Sequence, residues 1–389
     1  MTKILIVIDS LNRGGAERHL SLILPALQKK KNQIIVCLIS GGIEYNEFKK
    51  NKLIKVIEPP VVFKSTNIFI KLLKLLFFTF NYLKIEWLWK PNIVNYYLPQ
   101  SLIIGGLLSF FCRKTIRISS RRGLNDYKSQ GGLVDWVERF LRRNIDYYFV
   151  NCEALKRELI GEGIDKEKIF LIYNGINIMK QNNFHKIQIR KRIRKNHNIQ
   201  PNDILIIKVA NLIPYKGHQV LLEALTRIDL DVQKRIVVLF IGKKNKNILK
   251  FQKFLKTKKS KIKLKVLGTK INIYNYLYSS DIFSLTPIAN EGFSNALLEA
   301  GMCKLPSVVS NVGGNPEIIK NNENGFICDH KDLNSIKAAI VKLISNKKLR
   351  IKMGENSYNK IKLNFSLDII VDKYQDTFEN LLRSKKNHG

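Results

Sequence analysis

Two carboxylates stand eight positions apart in the stretch NEGFSNALLEAG, residues 290–301. Glu291 precedes a pattern of helical period, and Glu299 lies within it. Asn290 or Ser294 can cap this helix, and the amides at a capped helix start can bind a phosphate or diphosphate. Glu299 has the length to bind paired hydroxyls such as a ribose diol, whereas Glu291 would face a group attached to the distal phosphate. The stretch therefore predicts an anion site between two acids.

The same two acids have other interpretations. Paired carboxylates can act as acid and base in glycoside hydrolysis, but Glu299 lies inside a helix among alanines and leucines, which disfavours that role. Alternatively, Glu291 only favours the helix dipole and Glu299 is a surface charge. A nearby positive charge would favour the anion site instead.

A lysine in VANLIPYKGH, residues 209–218, can supply that charge. Lys216 stands directly before Gly217, where a helix begins, while Pro214 restricts the loop and Asn211 can donate or accept a hydrogen bond. The stretch follows a predicted strand, and open α/β sheets bind ligands at the carboxyl ends of their strands. A lone lysine of this kind is usually a solvated surface residue, so its role depends on its neighbours.

Two glycine pairs also follow predicted strands. Gly313 and Gly314 lie in SNVGGNPE, which shares a sheet edge with the two stretches above because parallel strands end at one edge. Gly14 and Gly15 lie in DSLNRGGAERHL, residues 9–20, where they allow a tight turn and a close approach to an anion. The third glycine and the later acid of a dinucleotide site are missing here, which disfavours such a site.

The segments that position these residues alternate between strands and helices along the chain. Short β-branched runs without strict alternation are typical of parallel strands buried on both faces. The predicted strands are 3–8, 33–39, 93–97, 116–120, 147–151, 168–174, 203–210, 235–242, 262–268, 281–287, 305–311 and 324–329. Helix-length amphipathic segments lie between most of them, so we predict an α/β fold with two doubly wound, Rossmann-like domains.

A polar, basic segment without acids, residues 179–202, separates the two series of strands. We therefore predict a first domain over residues 1–183 and a second over residues 184–365. Residues 366–389 form a further helix pattern, which either caps the second domain or crosses back to the first.

Charge and cysteine content limit the environment of the protein. The chain of 389 residues has 67 basic and 31 acidic residues, a net charge of +36, which suggests an anionic partner unless it is a lysine-rich background. Its five cysteines are odd in number and form no CxxC pair, which indicates a reducing compartment. The N-terminal run KILIVI is interpreted as a buried strand rather than a signal peptide. A cytoplasmic location is predicted.

Residues 67–90 form a helix pattern with a very wide apolar face. Its lysines make it a poor membrane span. It could be an interfacial helix on a membrane, with Trp87 and Trp89 at the depth of the headgroups, or a crossover helix buried against the sheet. Both alternatives stay open, and they predict a soluble or peripheral protein.

The chain resembles the retaining glycosyltransferases of family four, also called group 1, which have the GT-B fold. The resemblance covers essentially the whole chain and rests on GGAE (14–17), IYNGIN (172–177), ANLIPYKGH (210–218), NEGFSNALLEAG (290–301) and VGGNPEII (312–319). It implies two Rossmann-like domains facing across a cleft, the first on the acceptor side and the second binding a nucleotide sugar. It also implies that the C-terminal helix returns to the first domain.

The resemblance implies a role for each matching residue. Lys216 would contact the donor diphosphate, Glu299 would hold the ribose, and Glu291 would hold the donor sugar. Gly15 would approach the phosphate and the acceptor from the first domain. Backbone amides facing the diphosphate would come from Gly292, Phe293, Ser294 and Asn295.

One position departs from the family pattern. Many members have an arginine beside the lysine, where this sequence has Asn211, which we predict as a donor-binding residue. Lys216 would then be the main cation at the diphosphate unless Arg121 or Arg122 contributes. Arg121 follows a strand of the first domain where relatives often place a residue that bonds the transferring sugar, so we predict it as catalytic.

The reaction implied is transfer of a hexose or N-acetylhexosamine from a nucleotide-diphospho-sugar to a hydroxyl, with retention of configuration. No acid pair of the DxD type follows a strand, so we predict no metal and no other cofactor. The predicted acceptor is a saccharide or polyprenyl-linked oligosaccharide of surface polysaccharide or lipopolysaccharide synthesis. A peripheral position on the inner face of the cell membrane, at an anionic surface, is expected.

Two rival functions remain. One is a sugar-nucleotide epimerase of similar two-domain build, which would need no acceptor. The other is a nucleic-acid-binding protein, suggested by the net charge of +36. The lysines are not interleaved with aromatic residues as in a recognisable binding module, so no nucleic-acid partner is predicted.

Overall fold

The computed structural model describes residues 1–12, 14–45, 48, 51, 53–60, 67–112, 115–124, 132–179, 183–243 and 247–387. The chain forms two compact units, each built on one parallel β-sheet. The first unit comprises Met1–Asn177 and Leu367–Gly389, and the second comprises Ile178–Ser366. Both are Rossmann-like α/β domains, which confirms the predicted fold class.

The first unit has a seven-stranded sheet in the order β3-β2-β1-β4-β5-β6-β7, and all its neighbouring strands are parallel. Its strands are β1 (Lys3–Ile8), β2 (Gln33–Leu38), β3 (Lys55–Ile57), β4 (Ile93–Tyr97), β5 (Ile116–Arg121), β6 (Tyr147–Val150) and β7 (Ile169–Leu171). In the central register Val7 lies opposite Cys37 on one side and Tyr96 on the other. All three are buried, as expected for strands covered on both faces.

Helices cover both faces of this sheet. They are α1 (Gly15–Lys29), α2 (Ile68–Lys84), α3 (Leu98–Leu108), α4 (Gly132–Leu141), α5 (Glu153–Gly161) and the C-terminal α15 (Leu367–Asn387). On one face α15 packs against α1, and Tyr374 hydrogen-bonds His19 at 3.1 Å. The opposite face carries α2 and α3, because Tyr82 of α2 bonds Tyr96 and Gly105 of α3 lies against the same ring.

The second unit has a six-stranded parallel sheet in the order β10-β9-β8-β11-β12-β13. Its strands are β8 (Ile204–Val209), β9 (Ile236–Ile241), β10 (Lys263–Gly268), β11 (Ile282–Leu285), β12 (Ser307–Ser310) and β13 (Gly325–Cys328). Its helices are α6 (Asn183–Asn196), α7 (His218–Thr226), α8 (Leu230–Gln233), α9 (Asn247–Thr257), α10 (Ile273–Ser279), α11 (Asn295–Met302), α12 (Asn315–Ile318), α13 (Leu333–Ser345) and α14 (Lys347–Asn364).

Every predicted strand is present, and the differences lie at the edges and at the join. The edge strand β3 was not predicted because its three residues are too few for a pattern and none is buried. The polar join contains the helix α6, whose Arg190 and Arg194 pair with Asp281 at 2.6 and 3.2 Å. The second unit begins at Ile178, before the predicted boundary, and residues 180–182 lie outside the described residues.

Candidate active site

Three loops of the second unit meet at the carboxyl edge of its sheet. They follow β8, β11 and β12, and backbone hydrogen bonds join them. Ile288 donates its amide to the Tyr215 carbonyl at 2.8 Å, and Gly314 donates to the Gly292 carbonyl at 2.8 Å. The three loops therefore form one structural cluster. It contains Lys216, the two acids and the glycine pair Gly313–Gly314.

Two glycines make this close approach possible. Gly217 and Gly313 have φ angles of +64° and +60°, in the left-handed region. A Cβ at Gly217 would lie 1.8 Å from the Thr286 carbonyl oxygen, and one at Gly313 would lie 1.8 Å from that of Glu291. A side chain at either position would push the loops apart, so both glycines are needed for the geometry of the site.

Lys216 and Glu291 form an ion pair inside this cluster. The ammonium Nζ lies 2.9 Å from the Glu291 Oε2 atom, with 18% of the lysine side chain and 9% of the glutamate side chain exposed. Burial alone would lower the pKa of Lys216, but the Glu291 carboxylate and the Tyr215 hydroxyl together raise it. Lys216 is therefore a protonated cation at neutral pH. It lies beside Glu291, as the sequence analysis predicts.

The helix start beside this pair is α11. Ser294 is its N-cap, and the Ser294 Oγ atom accepts a hydrogen bond from the Leu297 amide at 3.3 Å. Of the two caps considered from the sequence, Ser294 is the correct one, because Asn290 lies before the helix with a left-handed φ of 52°. The ring of Phe293 packs against Phe365, so Phe293 can serve a ligand only through its backbone.

Glu299 lies in the second turn of α11 and is half-buried. Burial, followed by the charge of Glu299, raises the pKa of the Cys303 thiol one helical turn further on. Asn295, in the first turn, is also half-buried, while Gly292 and Ser294 are buried. The two acids thus occupy different environments, one in a loop and one on a helix.

Asn211 has a structural bond in this unit. Its side-chain Oδ1 atom accepts the Lys243 amide at 3.0 Å and so ties the loop after β8 to the end of β9. The residue itself is exposed at the sheet edge. Because the Oδ1 atom is used in this bond, the predicted contact of Asn211 with a sugar donor would be made by its Nδ2 group.

A buried lysine that we did not predict lies beneath the Lys216–Glu291 pair. Lys208, in β8, is fully buried and its Nζ donates to the Thr286 hydroxyl at 3.0 Å, which donates to the Gly217 carbonyl at 2.9 Å. Burial, with a smaller contribution from Lys216, lowers the pKa of Lys208 to about 7, although Glu291 opposes the shift. The signal in the sequence was a lone lysine within the apolar run ILIIKV.

His218 extends this buried group. Its ring packs edge-on against Phe240 at 4.8 Å between centroids. Burial and then the charge of Lys208 lower the pKa of His218 to about 2, so the imidazole is neutral. Cationic charge in this part of the unit therefore belongs to the two lysines.

The first unit presents a separate glycine loop. Gly15 is the first residue of α1 and is exposed, and among the described residues outside its own helix backbone and chain neighbours no heavy atom lies within 4 Å of the place that a Cβ would occupy. The preceding carbonyl, of Gly14, accepts a hydrogen bond from the Tyr45 hydroxyl at 3.2 Å. The close approach of a ligand to the Gly15 backbone stays a prediction.

Arg121 lies in a different setting from the predicted one. It is 2% exposed, and its guanidinium pairs with Glu138 at 2.8 Å and Glu162 at 2.9 Å. Arg122 is also buried and bonds Asn174 at 3.0 Å and the hydroxyl of Tyr374. A guanidinium buried between two carboxylates cannot reach a ligand without breaking both pairs, so we correct the prediction and treat Arg121 as structural.

The described part of the chain contains neither a metal-binding cluster of side chains nor a membrane-spanning helix. No group of three His, Cys, Asp or Glu side chains there is arranged to hold a metal ion. Of the helices described, none has the length and hydropathy required to cross a membrane. Metal independence of the reaction stays a prediction.

Two family models match the chain, one in each half. The model described as Glycosyltransferase Family 4 matches residues 13–180, and the model described as Glycosyl transferases group 1 matches residues 189–360. The chain therefore carries glycosyltransferase group 1 domains, and its two Rossmann-like units are those of the GT-B fold.

The curated relatives include several glycosyltransferases. The capsular polysaccharide biosynthesis glycosyltransferase CapM of Staphylococcus aureus is 26% identical over 76% of this chain and 79% of that protein. The N-acetylgalactosamine-N,N'-diacetylbacillosaminyl-diphospho-undecaprenol 4-alpha-N-acetylgalactosaminyltransferase of Campylobacter jejuni is 25% identical over 93% of this chain and 97% of that protein. An Escherichia coli UDP-Gal:alpha-D-GlcNAc-diphosphoundecaprenol alpha-1,3-galactosyltransferase is 30% identical over 57% of this chain and 57% of that protein.

Solved structures share the fold. HepE of Anabaena, in complex with UDP and glucose, has a TM-score of 0.80 at 18% identity and covers 98% of this chain and 100% of its own. WaaG, a glycosyltransferase involved in lipopolysaccharide biosynthesis, has a TM-score of 0.73 at 14% identity over 96% of this chain and 99% of its own. These matches show the GT-B fold, and the two family models with the curated relatives identify the chain as a glycosyltransferase.

Proposed function

We propose that the protein transfers a hexose or N-acetylhexosamine from a nucleotide-diphospho-sugar to a hydroxyl group and retains the anomeric configuration. The observation that carries this proposal is the Lys216–Glu291 ion pair at 2.9 Å, beside the start of α11. The pair lies at the carboxyl edge of a parallel sheet, where ligands of such sheets bind.

In this proposal Lys216 exchanges one anion for another. A donor diphosphate competes with the Glu291 carboxylate for the ammonium, because a phosphate oxygen forms an equally strong charge-assisted bond. As the diphosphate leaves, its negative charge grows, and Lys216 stabilises it together with the backbone amides of Gly292, Phe293, Ser294 and Asn295. One well-placed hydrogen-bond donor contributes about 2.7–4 kcal/mol to such a step.

The two acids divide the rest of the donor between them. Glu291, released from Lys216, accepts hydrogen bonds from hydroxyls of the sugar in transfer, and Glu299 holds the ribose diol. Asn211 contacts the donor side of the site through its amide nitrogen.

We further propose that the acceptor is a saccharide or a polyprenyl-linked oligosaccharide of surface polysaccharide synthesis, lipopolysaccharide included. The names of CapM and of the Campylobacter enzyme support this, since they specify capsular polysaccharide and a diphospho-undecaprenol carrier. The protein would then work in the cytoplasm at the inner face of the cell membrane, against anionic lipid. The proposal needs neither a metal nor another cofactor, and nucleic acid is not a partner in it.

A thermal-shift screen against nucleotide sugars tests the donor site. A bound donor at about 100 times its Kd raises the free energy of unfolding by about 2.7 kcal/mol. We expect one donor to raise the melting temperature of the native protein, and the shift to be lost in Lys216→Met but kept in Lys250→Met, which removes an exposed lysine of α9. No shift with any nucleotide sugar would contradict the proposal.

Product analysis with that donor separates transfer from epimerisation. Given donor without acceptor, a transferase leaves the sugar configuration of the donor intact, whereas an epimerase changes it. With a lipid-linked acceptor added, we expect a new glycosidic bond whose anomeric configuration matches the donor. An inverted product would contradict retention while leaving the donor site in place.

A further inference from the structure

The outward face of α2 and of the π-helical turn after it, Ile85–Trp89, is apolar. Phe69, Leu72, Leu76, Phe80 and Trp87 recur at helical spacing, and each is between 52% and 67% exposed. We call these five residues the outer apolar face. A contiguous apolar surface of this kind is rare on a protein that has no partner there. We propose that it inserts into the interfacial region of an anionic lipid bilayer.

The orientation of α2 is set by buried polar bonds on its other side. The Tyr82 hydroxyl bonds Glu86 at 2.9 Å and Tyr96 at 2.7 Å, and Glu86 also accepts the Thr115 hydroxyl at 3.0 Å. These groups would lose their partners in a dry interior if the helix rotated. These buried hydrogen bonds therefore fix the helix with its apolar face pointing outward.

Three polar residues of α2 lie on the opposite side from the outer apolar face, and Lys84, about 120° from Phe78, lies at the edge of that face. At 100° per residue, Lys71, Lys74 and Asn81 fall within about 60° of the buried Phe78, whereas the outer apolar face lies about 120° or more away from it. An ordinary surface helix has the reverse arrangement, with polar residues outward. A helix that lies between its own protein and a bilayer needs apolar residues on its outward face.

An aromatic group lies on the same side of the sheet. Phe110 and Phe111 follow α3, and Trp136 and Phe140 belong to α4, which packs against α3. All four are at least 40% exposed, and the Phe140 ring lies 5.5 Å from Phe110 and 6.1 Å from Trp136. Since α3 also packs against α2, the three helices that carry these exposed apolar residues are adjacent.

Charge favours a bilayer over a second copy of this chain as the occupant. Among the described side chains of residues 67–90, Lys71, Lys84 and Lys90 are exposed, while the acid Glu86 is buried. Anionic headgroups attract such lysines, whereas two copies face to face would bring them together. The three tryptophans of the chain are Trp87, Trp89 and Trp136, all on these helices, and tryptophan is enriched at the headgroup level of membranes.

The fluorescence of the tryptophans on this surface can report its contact with lipid. Vesicles of phosphatidylglycerol and phosphatidylcholine should shift the tryptophan emission of the native protein to the blue, and brominated acyl chains should quench it. Phosphatidylcholine alone should bind more weakly, because the lysines then lose their partner, and salt should weaken binding to the mixed vesicles. The absence of both shift and quenching on anionic vesicles would overturn the proposal.

Matched variants locate the contact. Phe69→Gln, Leu76→Gln and Phe80→Gln combined should weaken binding to anionic vesicles by about tenfold or more, because the bilayer then buries less apolar area. The control changes Leu249, Ile271 and Ile351 to Gln, three apolar residues of the second unit that are each more than half exposed, and should bind as the native protein does. Equal loss in both, or in neither, would overturn the assignment.

Two further readouts distinguish insertion into lipid from self-association and from donor binding. If the native protein is a dimer that the first triple variant dissociates, and neither protein binds vesicles, the face is a self-association surface and the proposal is wrong. The thermal shift with a nucleotide sugar should be the same in both triple variants. Vesicle binding without any donor-induced shift would keep this inference and reject the proposed function.

Discussion

Two cations at the carboxyl edges of the two sheets have opposite surroundings. Arg121, the last residue of β5, is buried between Glu138 and Glu162. Lys216, after β8, pairs with Glu291 at a loop edge and keeps 18% of its side chain exposed. A buried ion pair is stable only while each partner stays, whereas a pair at a loop edge whose lysine is partly exposed can exchange one partner for a ligand. The difference distinguishes a structural cation from a candidate ligand-binding one.

The largest expected effect is on the structural side of this comparison. Arg121→Met leaves Glu138 and Glu162 without one of their partners in a dry interior, which typically lowers the free energy of unfolding by about 3–5 kcal/mol. We expect a loss near the lower end, because Arg142 still pairs with Glu138 at 2.7 Å. Denaturant unfolding measures it, with the exposed Arg143→Met as control. An unchanged stability combined with lost activity would return Arg121 to the active site.

Lys216→Met should have the complementary effect. Turnover should fall by about 10²–10³-fold, as for loss of one well-placed hydrogen-bond donor to a leaving group. The free energy of unfolding should fall less than in Arg121→Met, because the Glu291 side chain keeps 9% of its surface exposed whereas that of Glu138 is fully buried. Steady-state kinetics and denaturant unfolding on the same preparations measure both quantities. If stability falls as far as in Arg121→Met and donor affinity does not change, the two cations are alike and the comparison fails.

The two acids sharpen the assignment within the second unit. Glu299→Gln should weaken binding of the nucleoside diphosphate and of the whole donor alike, by about 1.5–3 kcal/mol for lost charge-assisted bonds. Glu291→Gln should bind the nucleoside diphosphate nearly normally but lower turnover, because its partner is the sugar. Calorimetry and steady-state rates measure these effects, with the exposed Glu323→Gln as control. The reverse pattern would exchange the two roles.

Lys208 should add a smaller, pH-dependent effect. Its pKa is about 7 because burial, with a contribution from Lys216, disfavours its charge, while Glu291 opposes the shift and His218 stays neutral. A bound diphosphate raises that pKa, so Lys208 takes up a proton on binding, and affinity should fall by up to about tenfold per unit as pH rises above 7. Below pH 7 the amine is already charged in the free protein, so the dependence should level off.

Calorimetry with an intact nucleotide sugar, in buffers of different ionisation enthalpy, measures the proton uptake. The intact donor is used because its diphosphate has no oxygen that titrates near neutrality. Lys208→Met should abolish the uptake and flatten the affinity profile, whereas Lys250→Met should keep both. A native protein that binds the donor without taking up a proton would show that Lys208 only supports Thr286.

Removal of divalent metal should leave turnover unchanged, which is the smallest of the expected effects. If Lys216 and the amides of α11 stabilise the leaving diphosphate, EDTA should leave turnover unchanged, and added magnesium or manganese should not raise it. Steady-state rates before and after chelation measure this. Loss of turnover in EDTA with recovery on adding either metal would mean that a cation, not Lys216 alone, neutralises the diphosphate.

Much of the site could be predicted because its signals are local in sequence. The pair of candidate caps Asn290 and Ser294, the helical position of Glu299 and the helix start at Gly217 depend on residues a few positions apart. Grouping Lys216 with Glu291 needed one topological rule, that parallel strands end at the same sheet edge. Their contact at 2.9 Å agrees with that rule.

Long-range packing explains what could not be predicted. Whether Arg121 faces a ligand or a buried acid depends on Glu138 and Glu162, which reach it from two separate helical segments. The depth of Lys208 depends on its strand lying at the centre of the second sheet. Neither environment has a signature in the residues next to the arginine or the lysine.

The amino-acid sequence by itself determined the alternation of strands and helices, the presence of a helix after Asn290 and the residue types at the sheet edge, because these follow from local propensity and short spacings. Only the tertiary structure decided which charges are buried and which way an amphipathic helix faces. The helix of residues 67–90 has an apolar face in any fold, but the buried bonds of Tyr82 and Glu86 turn that face outward. Burial is a property of what packs on a residue, and for these residues those partners are distant in sequence.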